Sequence, residues 1–158
     1  MNFIPVLLIV SLAFAAQPAP NSKLIISDCG DKTYLLHYTN VTATEFKRGK
    51  DVVITSEHEL LTADVKSGTV HFNVLRNDMS VFSHDFNYCG YQEASLPLAL
   101  GKIKYTGSDC SKPRPYEDSF SMSVKMPIIT PSGRYQFKLD GASPSGQKLF
   151  CFYAYTDL

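Results

Sequence analysis

Residues Glu117–Phe137 read EDSFSMSVKMPIITPSGRYQF, two alternating segments on either side of a corner bounded by prolines. In the first segment Ser or Lys separates successive apolar residues, which are Phe120, Met122, Val124 and Met126. Alternation resumes over Arg134–Leu139, and a period of two is typical of a β-strand with one face on an apolar interior. Pro127 and Pro131 cannot donate to a central ladder, so the corner is predicted as a sheet edge or a crossover between sheets. The pattern indicates a β-sandwich with apolar residues exposed at one rim.

The rest of the chain contains further β-like segments separated by turns. They are Leu24–Ile26, Tyr34–Val41, Val52–Leu61, Thr69–Leu75, Ser80–Tyr88 and Lys148–Tyr155. The last is apolar on both parities, as expected of an interior strand covered on both faces. Residues 90–115 are rich in Pro and Gly and are predicted to be irregular, with little strand. Seven or eight short strands without a helical period predict an all-β, immunoglobulin-like β-sandwich.

The N-terminus has the pattern of a targeting segment. Ile4–Phe14 is an apolar run too short to span a bilayer, and Ala13–Ala15 has the small-x-small pattern of a cleavage site. We therefore predict a signal peptide over residues 1–16, although no Lys or Arg precedes the apolar run; the alternatives are an N-terminal anchor or a buried helix. Residues 17–22 are predicted to be a short spacer and residues 23–158 a single domain.

Charge and motif content exclude several functions. Lys plus Arg and Asp plus Glu both number 15, and this zero net charge does not provide the concentrated basic face that nucleic acid requires. The chain has no Gly-x-Ser-x-Gly elbow, no His-Glu-x-x-His motif and no Cys-x-x-Cys pair. No glycine-rich loop opens a helix to hold a phosphate. We expect neither an enzyme, nor a bound metal, nor a cofactor.

The cysteines and a sequon indicate an oxidising compartment. Four cysteines follow the predicted signal peptide, at Cys29, Cys89, Cys110 and Cys151. An even number in a secreted chain favours disulfides, and four cysteines allow three different pairings. Asn40 begins an Asn-Val-Thr sequon and is therefore a candidate glycosylation site.

Six short segments are informative through their order and spacing: Asp28–Gly30, Ser67–Val70, Phe82–Cys89, Cys110–Pro113, Pro131–Tyr135 and Ser145–Cys151. Together they resemble the ML lipid-recognition domain family over nearly the whole predicted domain. The family includes phosphatidylglycerol/phosphatidylinositol transfer proteins, the Niemann-Pick type C sterol carrier and the ganglioside activator.

The resemblance implies a sandwich whose sheets are splayed to hold a lipid cavity, with Cys29 paired to Cys151 and Cys89 to Cys110. The sterol carrier's third disulfide has no counterpart near Phe46–Asp51. The four-cysteine set is therefore more similar to the phospholipid-transfer branch, whereas Tyr135–Cys151 is also similar to the ganglioside activator. Phospholipid, sterol and glycolipid all stay open as ligands.

An apolar slot between the inner faces is the expected lipid site. The candidate lipid-binding residues are Phe72, Val74, Phe82, Phe86, Phe120, Met122, Val124, Met126, Ile128, Ile129 and Tyr135. Inward aromatics in any sandwich are more often core than cavity wall. In contrast, Met126, Ile128 and Ile129 adjoin prolines at the rim and are better placed as a portal.

The predicted function is a secreted or endolysosomal protein that binds and transfers a single phospholipid or sterol without covalent chemistry. The predicted partners are a lipid ligand and, transiently, a membrane surface. The basic residues Lys47, Arg48 and Lys50, or Lys112 and Arg114, are candidates for headgroup contact. However, at zero net charge, plain solvated turns are the preferred interpretation of these residues. The alternatives are an immune or adhesion-type module that senses lipid or binds a protein, and a glycolipid activator that presents lipid to a partner.

Overall fold

The structure is a computed structural model that describes residues 24–61, 63–97, 101–113 and 115–158, with the side chains of 57–61 left out. The predicted signal peptide and spacer lie outside the described residues. Within those ranges no helix is long and apolar enough to cross a membrane. The described strands are β1 (Ile25–Asp28), β2 (Val41–Ala43), β3 (Asp51–Leu61), β4 (Thr69–Arg76), β5 (Met79–Asn87), β6 (Tyr91–Ser95), β7 (Lys102–Thr106), β8 (Tyr116–Lys125), β9 (Arg134–Ala142) and β10 (Lys148–Asp157).

These strands form two antiparallel sheets of five strands each. One sheet has the order β1-β10-β9-β4-β5 and the other the order β2-β3-β8-β7-β6. The corner that contains Pro127 and Pro131 joins β8 of the second sheet to β9 of the first, so it is the predicted crossover. The all-β, immunoglobulin-like sandwich is confirmed, with ten strands in place of the seven or eight expected.

The expected strand over Tyr34–Val41 is wrong except at its last residue, where β2 begins. Leu36 and Tyr38 are buried and their neighbours are exposed, so the alternation in the sequence is real. However, the amides of Leu35 and Leu36 donate to the carbonyls of Lys148 and Leu149 in β10, 3.2 and 2.8 Å away. The segment is therefore held by isolated bonds and forms no ladder.

The irregular character expected for residues 90–115 is also wrong, because β6 and β7 lie there and pair with each other. Ile103 and Tyr105 are buried, whereas Lys102, Lys104 and Thr106 are exposed. This is a period of two over only five residues. The glycines and prolines on either side of β7 led to the prediction of an irregular segment, although a short strand lies between them.

Aromatic side chains fill the space between the sheets at one end of the sandwich. The Tyr38 ring lies 5.1 Å from Phe120 and 5.6 Å from Phe150, between centroids. Phe120 in turn stacks on Phe152 at 5.7 Å. Such offset and edge-to-face contacts add to the burial of apolar area. At this end of the interior, rings from the two sheets are in direct contact.

Both disulfide pairings implied by the family resemblance are confirmed. Cys29 bonds to Cys151 across 122 residues and Cys89 to Cys110 across 21. By the loss of chain entropy in the unfolded state, the first contributes about 5 kcal/mol and the second about 3 kcal/mol. The longer link fastens the segment after β1 onto β10.

Candidate functional site

An apolar cavity of about 390 Å³ lies between the sheets at the end opposite the aromatic cluster, a volume within the range of small-ligand sites. Its lining residues are Val74, Arg76, Val81, Phe82, Leu96, Pro97, Val124, Met126, Pro127, Ile129, Thr130, Pro131, Tyr135 and Phe137.

Strand alternation brings the walls together from both sheets. Val74 in β4 lies beside Phe137 in β9, with which it is paired in register, and both face the interior. Val124 in β8 and Met126 just after it face them from the second sheet. Phe46 packs behind this wall, with its ring 5.3 Å from that of Phe137. The cavity walls therefore come from paired strands of both sheets, with the Phe46 ring packed against one of them.

The corner between β8 and β9 forms part of the mouth and is internally hydrogen-bonded. The Thr130 hydroxyl and amide both donate to the Pro127 carbonyl, at 2.5 and 3.2 Å. The Tyr135 hydroxyl donates to the Pro131 carbonyl at 2.9 Å. These bonds hold the backbone of an otherwise irregular segment. The corner is thus a defined structure that places Ile129 against the opening.

Apolar side chains are exposed around this mouth. Ile128 and Ile129 are 79% and 78% exposed, and Val81 on β5 is 50% exposed. Val81 and Ile129 also line the cavity, whereas Ile128 lies beside it on the corner. We call these three residues the apolar rim. Large apolar side chains grouped at an opening indicate a surface for a ligand, a membrane or another protein.

The turn Phe46–Lys50 supports the corner from outside. Gly49 has φ +74° and its amide donates to the Met126 carbonyl at 3.0 Å. A Cβ at Gly49 would lie 3.0 Å from Cγ1 of Ile128. Since positive φ already disfavours other residues, a substitution there would strain the turn, and the Ile128 side chain would have to shift slightly. The turn therefore packs against the corner that bears the rim.

Charge at the mouth comes from two arginines. Arg76 donates from Nε and Nη2 to the Ser132 carbonyl, at 3.2 and 2.8 Å. Arg48 donates from Nη2 to the Ser132 hydroxyl at 3.0 Å. Burial raises the pKa of Tyr135, and the positive charges of Arg76 and Arg48 act in the opposite direction. The cavity is thus apolar inside and positively charged at one side of its opening.

Of the candidate lipid-binding residues, six line this cavity: Val74, Phe82, Val124, Met126, Ile129 and Tyr135. The other five do not. Phe72 is buried behind the wall, between Phe82 and Phe137. Phe86 packs on Tyr105, Phe120 lies in the aromatic cluster and Met122 is fully buried. Ile128 is exposed on the corner. Lipid contact by any of the eleven stays a prediction.

Sequence alternation did not identify some of the lining residues, and Val81 illustrates the reason. In the β4–β5 pairing Val74 opposes Phe82 and Leu75 opposes Ser80, so Val81 has no partner across the ladder. This bulge lets two successive residues of one strand face the cavity. Alternation in the sequence assigns them to opposite faces, so no sequence signal identified Val81.

Other candidate features lie away from the cavity. The described residues contain no group of three or more His, Cys, Asp or Glu side chains placed to hold a metal. Lys112 ion-pairs with Asp109 at 3.7 Å and does not line the cavity, and Arg114 lies outside the described residues. Asn40 is exposed immediately before β2. Its glycosylation remains a prediction.

The fold and cavity together define a β-sandwich with an apolar cavity between its sheets. The family model of the ML domain matches residues 23–158, so the chain belongs to the ML domain family. No curated protein matches the chain significantly. The ML domain is a lipid-binding fold rather than a known enzyme family, and membership supports lipid binding in general. The family and the two disulfides are typical of extracellular or lysosomal proteins.

Proposed function

We propose that this protein carries one lipid at a time, with the lipid's apolar tails in the cavity between the sheets, and transfers it between membranes. The observation that carries the proposal is the 390 Å³ cavity with an apolar lining, open at the rim. Contact between the apolar walls of an open cavity and water is unfavourable, and a lipid tail would cover these walls. Burial contributes about 0.8 kcal/mol per methylene, so ten buried methylenes would supply about 8 kcal/mol.

The rim residues support a membrane step in this cycle. Ile128, Ile129 and Val81 leave 79%, 78% and 50% of their surface in water, so this apolar area is not buried against their own chain. Insertion of the rim into the outer part of a bilayer would bury them and bring the cavity mouth to the lipid tails. Lys50 in the supporting turn is exposed beside the corner and would face anionic headgroups, whereas Lys47 already pairs with Glu45 at 2.7 Å. Contact is expected to be transient because the apolar area is small.

We further propose that residues 1–16 are a signal peptide, residues 17–22 a spacer and residues 23–158 the carrier domain. The disulfides support secretion or delivery to the endolysosomal lumen, because such bonds persist in oxidising compartments.

The alternative is a module that senses lipid or presents it to a protein partner, with the rim as the contact surface. The same exposed isoleucines favour this reading, since apolar patches also bind proteins. The two functions differ in whether the lipid leaves with the carrier. A presenting module needs a partner to release its lipid, whereas a transfer protein needs only an acceptor membrane.

Transfer between vesicles separates these functions. Donor vesicles would contain pyrene-labelled phosphatidylglycerol, whose excimer emission falls when the lipid is diluted into unlabelled acceptor vesicles. We expect the rate to rise in proportion to the protein concentration. Lipid uptake without transfer would favour the presenting module. If the protein shows no uptake and no transfer, both proposals are contradicted.

A further inference from the structure

Two guanidinium groups converge on one residue at the cavity mouth. Arg76 ends β4 and lines the cavity, and it donates two hydrogen bonds to the Ser132 carbonyl. Arg48 approaches from the supporting turn and donates to the hydroxyl of the same serine. Both arginines are therefore hydrogen-bonded to Ser132, Arg48 to its side chain and Arg76 to its backbone carbonyl.

The hydrogen-bond partners of both arginines are neutral. Across the described part of the chain, neither Arg48 nor Arg76 forms an ion pair with a carboxylate. In contrast, Arg134 contacts Asp157 at 3.2 Å on the neighbouring strands. Two like charges that contact the same residue repel each other, and the repulsion is larger where low-dielectric walls are near. An anion bound by both would reduce that repulsion.

We propose that Arg48 and Arg76 bind the phosphate group of the lipid whose tails occupy the cavity. This inference rests on the proposed function. Guanidinium groups present several N–H donors in a planar fork that matches phosphate oxygens, so arginine suits this role better than lysine. The Ser132 hydroxyl, now an acceptor from Arg48, is free to rotate and donate to the same anion.

The position of the pair fits the shape of an amphiphile. Arg76 belongs at once to the cavity wall and to the charged cluster, so apolar and charged parts of the site are contiguous. A lipid with tails in the cavity would leave its headgroup at this point. The site therefore selects lipids that carry a phosphate over neutral lipids with the same tails.

Three soluble probes separate the phosphate from the tails: dioctanoyl phosphatidic acid, dioctanoylglycerol and glycerol 3-phosphate. Isothermal titration would give the dissociation constant of each for the protein and for Arg48→Gln and Arg76→Gln. A charge-assisted contact is lost in each variant, so we expect each to bind dioctanoyl phosphatidic acid about tenfold more weakly. Affinity for dioctanoylglycerol should not change. Arg48→Lys should retain more of the affinity than Arg48→Gln.

Lys104→Gln is the matched control, because it removes the same charge from an exposed position on β7 outside the cavity lining. It should leave all three affinities unchanged. Urea unfolding of every variant checks that the corner is still folded.

The outcomes distinguish this site from the carrier function. Equal losses for dioctanoyl phosphatidic acid and dioctanoylglycerol in the arginine variants would overturn the phosphate site, since the arginines would then only support the corner. So would glycerol 3-phosphate binding as tightly as dioctanoyl phosphatidic acid, because the ligand would be a free phosphate ester. If the unsubstituted protein binds neither of the two dioctanoyl lipids, the carrier function is overturned as well.

Discussion

Replacing Ile129 by aspartate is expected to weaken lipid binding without weakening the fold. Ile129 lines the cavity mouth yet is 78% exposed in the free protein, so a bound lipid tail would cover most of its side chain. Full burial of an isoleucine contributes about 1.5–3 kcal/mol, and a carboxylate in its place would lose its hydration against the tail. A loss of about 2 kcal/mol corresponds to a dissociation constant about 30-fold larger.

The stability of this variant should stay within about 0.5 kcal/mol of the original, as for other exposed substitutions. The assay is a titration with a lipid that carries an environment-sensitive fluorophore, which is convenient because the chain contains no tryptophan. Urea unfolding, read by circular dichroism, supplies the stability of each variant.

Two matched substitutions test whether the loss of affinity is specific to the cavity mouth. Ile128→Asp changes the neighbouring residue, equally exposed on the same corner but outside the cavity lining. Its equilibrium affinity should change by less than about threefold, while transfer between vesicles slows because the rim inserts less well. Ile25→Asp, on edge strand β1, should alter neither quantity. Equal losses of affinity for Ile128→Asp and Ile129→Asp would refute the assignment of the cavity mouth.

Two further predictions concern stability. Replacing Cys29 and Cys151 by serine should lower the free energy of unfolding by about 5 kcal/mol, measured by urea unfolding. The same replacement of Cys89 and Cys110 should lower it by about 3 kcal/mol, because this disulfide closes a shorter loop. Equal losses would contradict the chain-entropy explanation. Phe120→Ala should cost about 3–5 kcal/mol while the saturating lipid stoichiometry stays the same, since this ring lies in the packed end of the sandwich. A changed stoichiometry would mean that the cavity extends into that end.

The sequence predicted the sandwich well because alternation is a local property. Residues 119–125 alternate strictly, and β8 keeps that alternation, with apolar side chains buried and the others facing out. The role of the proline-bounded corner also followed from local chemistry, since proline cannot donate within a ladder. The crossover and the exposed isoleucines lie where that reasoning put them.

What the sequence did not predict depends on relations between distant segments. Whether an inward ring is core or cavity wall depends on how far the sheets are apart at that point, and no single strand encodes that distance. Phe120 and Met126 have the same parity on one segment, yet one lies in the packed end and the other lines the cavity. Likewise the convergence of Arg48 and Arg76 on Ser132 joins the end of β4 to two loops that are far apart in the chain.

The most direct test of the carrier function is native mass spectrometry of the protein secreted from its own cells, combined with lipid extraction of the same sample. We expect a one-to-one adduct that disappears on denaturation, and an extracted lipid that carries a phosphate group. A bare polypeptide that also takes up no lipid from vesicles would contradict it.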